Sequence, residues 1–150
     1  MHASITAALG FLIAVLWFDL MFDVQVIPHR RASQVPDDVV ASIATYYRRV
    51  TTDASPMGRL ISVVMAALVG LLVWQAARGG TAGWVSIASL IGSAAAIVLA
   101  LTRVVPNAVR LGQRTHTPAA QSDLAKGILR EHLAFLALMV GVLTVQLIGG

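Results

Sequence analysis

The sequence predicts an all-α protein: an integral membrane four-helix bundle with an amphipathic interfacial helix in its first cytoplasmic loop. Three observations carry that prediction. Hydrophobic residues make up 57% of the 150 residues and charged residues only 12%, with a mean hydropathy of +0.79. A soluble domain carries about 25% charged residues. Four apolar stretches each reach the roughly 20 residues that a bilayer-crossing helix needs. Finally, ten of the eleven Lys and Arg residues flank just two of the connections.

The spans run over about 4–27, 57–77, 83–105 and 128–148, within a single transmembrane domain covering 1–150. The opening "MHASITAALG" has no Lys or Arg, so it lacks the basic region of a signal peptide, and the first span is expected to stay in the mature protein. Arg30, Arg31, Arg48, Arg49 and Arg59 lie in or beside the first connection. Arg103, Arg110, Arg114, Lys126 and Arg130 do the same for the third, leaving only Arg78 elsewhere. Positive charge stays on the cytoplasmic side. The two long loops are therefore expected in the cytoplasm and both termini outside, in a bacterial inner membrane. The two halves share an outline, an inward helix, a proline, a basic loop and an outward helix, with "VIPHRR" and "VVPNAVR" at matching places.

In the first loop, "VPDDVVASIATYYRRVT" predicts a helix. Pro36 and the two aspartates suit its start, and Arg48 and Arg49 its end. Val39, Val40, Ile43, Tyr46, Tyr47 and Val50 fall on one side, giving a helix that lies on the membrane surface or against the bundle. The tyrosines suit an interfacial position. "SPM" at 55–57 supplies an N-cap and an N1 proline for the second span. "TP" at 117–118 does the same for a fourth helix that starts well before the membrane. Pro106 is expected to kink or end the third helix. Ala88, Gly92, Ala96 and Ala100, with Ser89 and Ser93 beside them, make a small-residue stripe for close helix packing, within the chain or in a homo-oligomer or membrane complex.

Composition excludes several functions. There is no cysteine, so disulfides, thiol chemistry, Cys-ligated zinc and iron–sulfur clusters are out. The net charge of +4 is small, and no basic face with interleaved aromatics suggests nucleic acid. The outer halves of the spans carry almost no polar residues, so a channel has little to line it.

The polar residues instead gather at one level, near the cytoplasmic ends. Asp19 and Asp23 share a helix face, about 12 and 6 Å above Ile27. Arg59 opens the second span, Arg103, Asn107 and Arg110 descend the end of the third, and Arg130, Glu131 and His132 open the fourth, with His29 after the first. An ionisable group inside a span costs about 2.5–3.5 kcal/mol on insertion scales, so such groups find partners. Two readings stay open. In one, Asp19, Asp23 and Glu131 pair with Arg59, Arg103 and Arg130 in an ion-pair lattice that fixes helix packing in a non-enzymatic subunit or scaffold. In the other, the layer is a pocket for a lipophilic small molecule arriving from the bilayer. There Asp19, Asp23, Glu131 or His132 acts as a general base, and Arg59, Arg103, Asn107 or Arg130 binds substrate and steadies an anionic intermediate. No cofactor is expected. Iron or manganese on Asp19, Asp23, Glu131 and His132, with His29, is the alternative, against which stand the nearby arginines and the missing Glu-x-x-His pairs.

The order of these features resembles the small four-helix membrane proteins grouped with fungal anthrone oxygenases. "VVPNAVR" at 104–110 and "REHLAFLAL" at 130–138 carry the resemblance best, and it extends to Asn107 and His132. It implies a four-helix membrane fold and, in some members, cofactor-free oxygenation of a phenolic substrate. The chain departs from that pattern in having "LAFLAL" where an arginine follows the helix-four histidine.

Overall fold

Apolar side chains recurring at steps of three and four dictate helices, and helices form. The computed structural model describes residues 1–79 and 81–149, with no strand among them. Its α-helices are α1 (His2–Asp23), α2 (Asp37–Arg48), α3 (Ser55–Arg78), α4 (Gly83–Leu99), α5 (Val105–Gln113) and α6 (Pro118–Gly149). Four continuous helical runs are long and apolar enough to cross a membrane: His2–His29, Pro56–Arg78, Gly83–Gln113 and Pro118–Gly149. They contain the four spans read from sequence. Part of the connection between α3 and α4, at Gly80, lies outside the described residues.

Helix α6 organises the bundle. Its buried residues Gln121, Ala125, Ile128, His132, Phe135, Met139, Val142 and Gln146 follow in alternating steps of four and three. That 3.5-residue period keeps one seam against its neighbours over the whole helix. Helix α1 answers with Ile5, Leu9, Leu12, Leu16, Leu20 and Asp23. From α4 come Ser89, Ser93 and Ala96. The small-residue stripe is thus used inside the chain: a Cβ on Gly92 would lie 2.6 Å from Val142 Cγ2. Small residues let two backbones approach where lipid supplies no hydrophobic drive.

Pro28 and Pro106 do not end the helical runs. Pro106 lacks an N–H and would clash with the carbonyl one turn back. A wide π turn, Ala100–Val104, absorbs it, and the chain continues into α5 with Pro106 in its first turn. Pro28 sits in a tight 3-10 turn, Val24–His29, directly after α1. A second π turn, Arg49–Asp53, follows α2. Helix α3 begins at Ser55, one residue before the sequence places it, with Pro56 in its first turn. Capping by the Ser55 side chain lies outside the described residues. Helix α6 begins at Pro118, as its "TP" predicts, with the Ala120 N–H 3.4 Å from Thr117 Oγ1.

Helix α2 starts after Pro36 with Asp37 and Asp38 in its first turn, and buries Val40, Ile43, Ala44 and Tyr47. It lies against α5 and α6. The α5 crossing is tight: a Cβ on Gly112 would stand 2.8 Å from the Arg48 backbone nitrogen. Arg114 ends α5 with a positive φ of 50° and bonds Asp37 at the start of α2. The Val35 N–H donates to Ser122 Oγ at 2.9 Å, and Lys126 Nζ to the Ala32 carbonyl at 2.7 Å. The first loop is therefore bound to α6 by specific bonds.

Helix α3 is asymmetric. Its second half buries Leu68, Leu72 and Gln75, whereas no residue from Pro56 to Ala67 is buried. The first half touches the core only through partly buried side chains such as Ile61, Val64 and Met65, and it borders the site.

Candidate functional site

Asp23 is a wholly enclosed carboxylate on the inner stripe of α1. Enclosing it unpaired would be prohibitive, and it has two partners. Tyr47 Oη donates to Oδ1 at 2.7 Å, and His132 Nδ1 lies 2.6 Å from Oδ2. Tyr47 Oη is also 3.2 Å from His132 Nδ1, a longer second acceptor for the same imidazole proton. Three helices, α1, α2 and α6, thereby meet in one closed hydrogen-bonded group.

Asp19, one turn earlier, is half-buried and accepts from Tyr46 Oη at 2.7 Å. The Tyr46 ring stacks on Phe22 with centroids 4.0 Å apart. The adjacent tyrosines thus match two carboxylates spaced by four residues. Both phenols are pushed well above their ordinary range, first by burial and then by the neighbouring carboxylates. They remain protonated donors.

A cavity of about 710 Å³ lies above this group. Its walls come from α1, the first half of α3 and the α4–α5 run, and α2 and α6 close its base. Asp19, Tyr46, Tyr47 and His132 line it at the base, while Leu12, Leu16, Met65, Ile97 and Phe135 line it further in. Both π turns border it, through Ala100, Leu101 and Val104 and through Val50 and Thr51. Its rim includes Phe18, 61% exposed, and Leu101, 68% exposed. The cavity therefore opens sideways, onto the apolar outside of the helices. Ligand pockets of about 300–1,000 Å³, mainly apolar with a few polar groups, are of this kind.

The arginines are placed differently from the sequence expectation. Arg59, Arg103 and Arg130 are exposed, and none lines the cavity. The ion pairs among the described residues are Arg48–Asp53, Arg114–Asp37 and His132–Asp23. The expected pairing of three arginines with three acids is thus corrected: long guanidinium side chains reach outward to water, while short carboxylates cannot. Glu131 turns to Asn107, whose Nδ2 donates to its two oxygens at 2.9 and 3.1 Å. That pair ties α5 to α6 beside the cavity without lining it. His29 is half-exposed after α1. With Glu131 bonded to Asn107 and His132 to Asp23, no group of three or more His, Asp or Glu residues among the described residues could hold a metal ion.

Sequence reasoning missed two features. Tyr46 and Tyr47 are read there as interfacial anchors, yet they serve as the donors to Asp19 and Asp23. The signal was the matched pairing of donors and acids on two helices. The other feature is at the opposite end of the bundle. Gln75 and Gln146 exchange amide bonds at 3.1 and 3.2 Å, and Gln146 Nε2 also donates to Ser89 Oγ at 2.8 Å. These three are buried, and Gln75 also reaches Thr81 at 2.9 Å.

The class defined by fold and site is thus an all-helical protein with four helices suited to a membrane and a large side-opening cavity seated on a Tyr–Asp–His group. Comparison with protein-family models, with curated proteins and with solved structures gives no match to this chain.

Proposed function

We propose that this is a small polytopic membrane protein that binds, and chemically transforms, a lipophilic small molecule taken from the bilayer. One observation carries the reading: a cavity of about 710 Å³ that is apolar along its length, opens beside Phe18 and Leu101, and has Asp19, Tyr46, Tyr47 and His132 at its base. A molecule dissolved in acyl chains can enter by that side without crossing water. The basic loops set the orientation, with the cavity base and α2 at the cytoplasmic leaflet and both termini outside.

The base of the cavity suits proton transfer. Asp23 holds Nδ1 of His132 at 2.6 Å, which fixes the ring's orientation and tautomer. Nε2 has no partner among the described residues, so it is the nitrogen left to accept a proton from a bound molecule. The resemblance to anthrone-oxygenase-like proteins agrees with this, since His132 is one of its two positions and cofactor-free oxygenation begins from a substrate anion.

The test is to purify the full chain in mild detergent and measure co-purifying lipophiles by mass spectrometry. A stoichiometric lipophile is expected in the parent protein and not in Gly58→Phe, which fills the cavity from α3. Gly58 has open space around its Cβ position, so the variant should fold. Equal lipophile content in both would refute the cavity as the binding site.

A further inference from the structure

The polar groups around the cavity share one property. Those lining it are Asp19, Tyr46, Tyr47, Thr51, Ser62 and His132, and no Lys or Arg is among its lining residues. Each hydroxyl already has its proton committed. Tyr46 donates to Asp19 and Tyr47 to Asp23, each at 2.7 Å. Thr51 Oγ1 donates to the Tyr47 carbonyl at 2.7 Å, and Ser62 Oγ to the Gly58 carbonyl at 2.9 Å. The imidazole proton on Nδ1 goes to Asp23. A bound molecule therefore meets lone pairs: Oδ2 of Asp19, which has no hydrogen bond among the described residues, and Nε2 of His132, the ring nitrogen that Asp23 does not hold.

Resting on the binding function proposed above, we infer that the molecule held here is an uncharged lipophile whose head group donates a hydrogen bond, such as an alcohol, and that the site rejects lipid anions. A carboxylate or phosphate head would be buried facing lone pairs with no donor to satisfy it, and that mismatch excludes it more strongly than shape would. An ether of the same size would leave the acceptors of the site unpaired. The apolar wall receives the tail: from Phe22 back to Leu12 on α1 is about 15 Å at 1.5 Å per residue.

Three probes with one tail isolate the head group: dodecanol, dodecyl methyl ether and dodecanoate. The purified full chain is incubated with an equimolar mixture in detergent, and the bound species are counted by native mass spectrometry. Dodecanol should exceed each of the others by about tenfold or more, the worth of one hydrogen bond to a charged group. Dodecanoate binding as well as the alcohol, or the ether matching it, overturns the inference but leaves the cavity as a lipophile site. Binding of none overturns both. Asp19→Asn supplies a second measurement. Its amide oxygen can still accept from Tyr46 while its NH₂ turns a donor into the cavity, so the alcohol-to-ether ratio should fall and dodecanoate should gain. Unchanged ratios in a variant that retains its native tryptophan fluorescence overturn the inference.

Discussion

Asp23 and His132 stand 109 residues apart in the chain and meet at 2.6 Å in the closed interior. This contact joins the first helix to the last and fixes the ring that faces the cavity. Removing one partner leaves the other stranded. His132→Leu should destabilise the protein by about 3–5 kcal/mol, because it leaves a buried carboxylate with one donor. Adding Asp23→Leu should restore part of that loss. Unfolding by SDS in mixed micelles measures both, and a double variant as unstable as the sum of the singles would contradict the coupling.

The two phenols give a pH dependence with a definite sign. Tyr46 and Tyr47 are the chain's only tyrosines, and folding raises both. Above the ordinary phenol value of about 10, the unfolded chain loses protons that the folded chain keeps. Stability is therefore full below about pH 10 and falls as pH rises beyond it. Ultraviolet difference spectra should show no tyrosinate while the protein stays folded. Tyr46→Phe with Tyr47→Phe should flatten this alkaline loss. A tyrosinate signal from folded protein near pH 10 would count against the buried donor geometry.

Gly112 should not tolerate a methyl group. Its Cβ would meet Arg48 backbone atoms at 2.8 and 3.0 Å, and backbone cannot rotate away. Gly112→Ala should cost about 1–3 kcal/mol by forcing α2 from α5, and it should loosen the floor of the cavity. Gly127→Ala, with nothing within 4 Å of the new atom, should instead be neutral or stabilise α6 by about 0.5–1 kcal/mol. Equal unfolding free energies for the two variants would contradict the close crossing.

The glutamine pair at the far end should behave as a lock. Gln146→Leu strips Gln75 of its reciprocal amide and Ser89 of its donor. The cost should be about 0.6–2 kcal/mol, the range for interhelical hydrogen bonds in membranes. Gln75→Leu on the same background should add little. Lipophile binding should persist in both, since neither residue lines the cavity.

Orientation can be read directly because the chain has no cysteine. Thr115→Cys and Thr81→Cys each place one thiol in a connection. In sealed right-side-out vesicles an impermeant maleimide should label the second and spare the first. The opposite pattern would invert the proposed topology.

The helices and their extents follow from local information. Four apolar runs, the proline positions, the acids opening α2 and the "TP" before α6 are all short-range signals, and backbone hydrogen bonding leaves an apolar segment little choice but helix. The presence of Asp19, Asp23 and His132 at one level is also legible, since a rise of 1.5 Å per residue fixes depth. Partner choice is another matter. It depends on rotation of each helix about its axis and on the distances between helices, which come from packing. The sequence therefore places three arginines opposite three acids, whereas packing turns Arg59, Arg103 and Arg130 outward and brings Tyr46 and Tyr47 to Asp19 and Asp23. A pocket in this layer is one of the two readings left open by the sequence, but its size and opening are not legible. Both depend on how loosely the first half of α3 packs, where no residue from Pro56 to Ala67 is fully buried, and no periodicity along α3 encodes that spacing. Composition and spacing determined the helices, the shared level of the polar residues along them and the charge asymmetry. Tertiary structure alone decided which donors meet which acids, and that the polar layer opens onto a cavity.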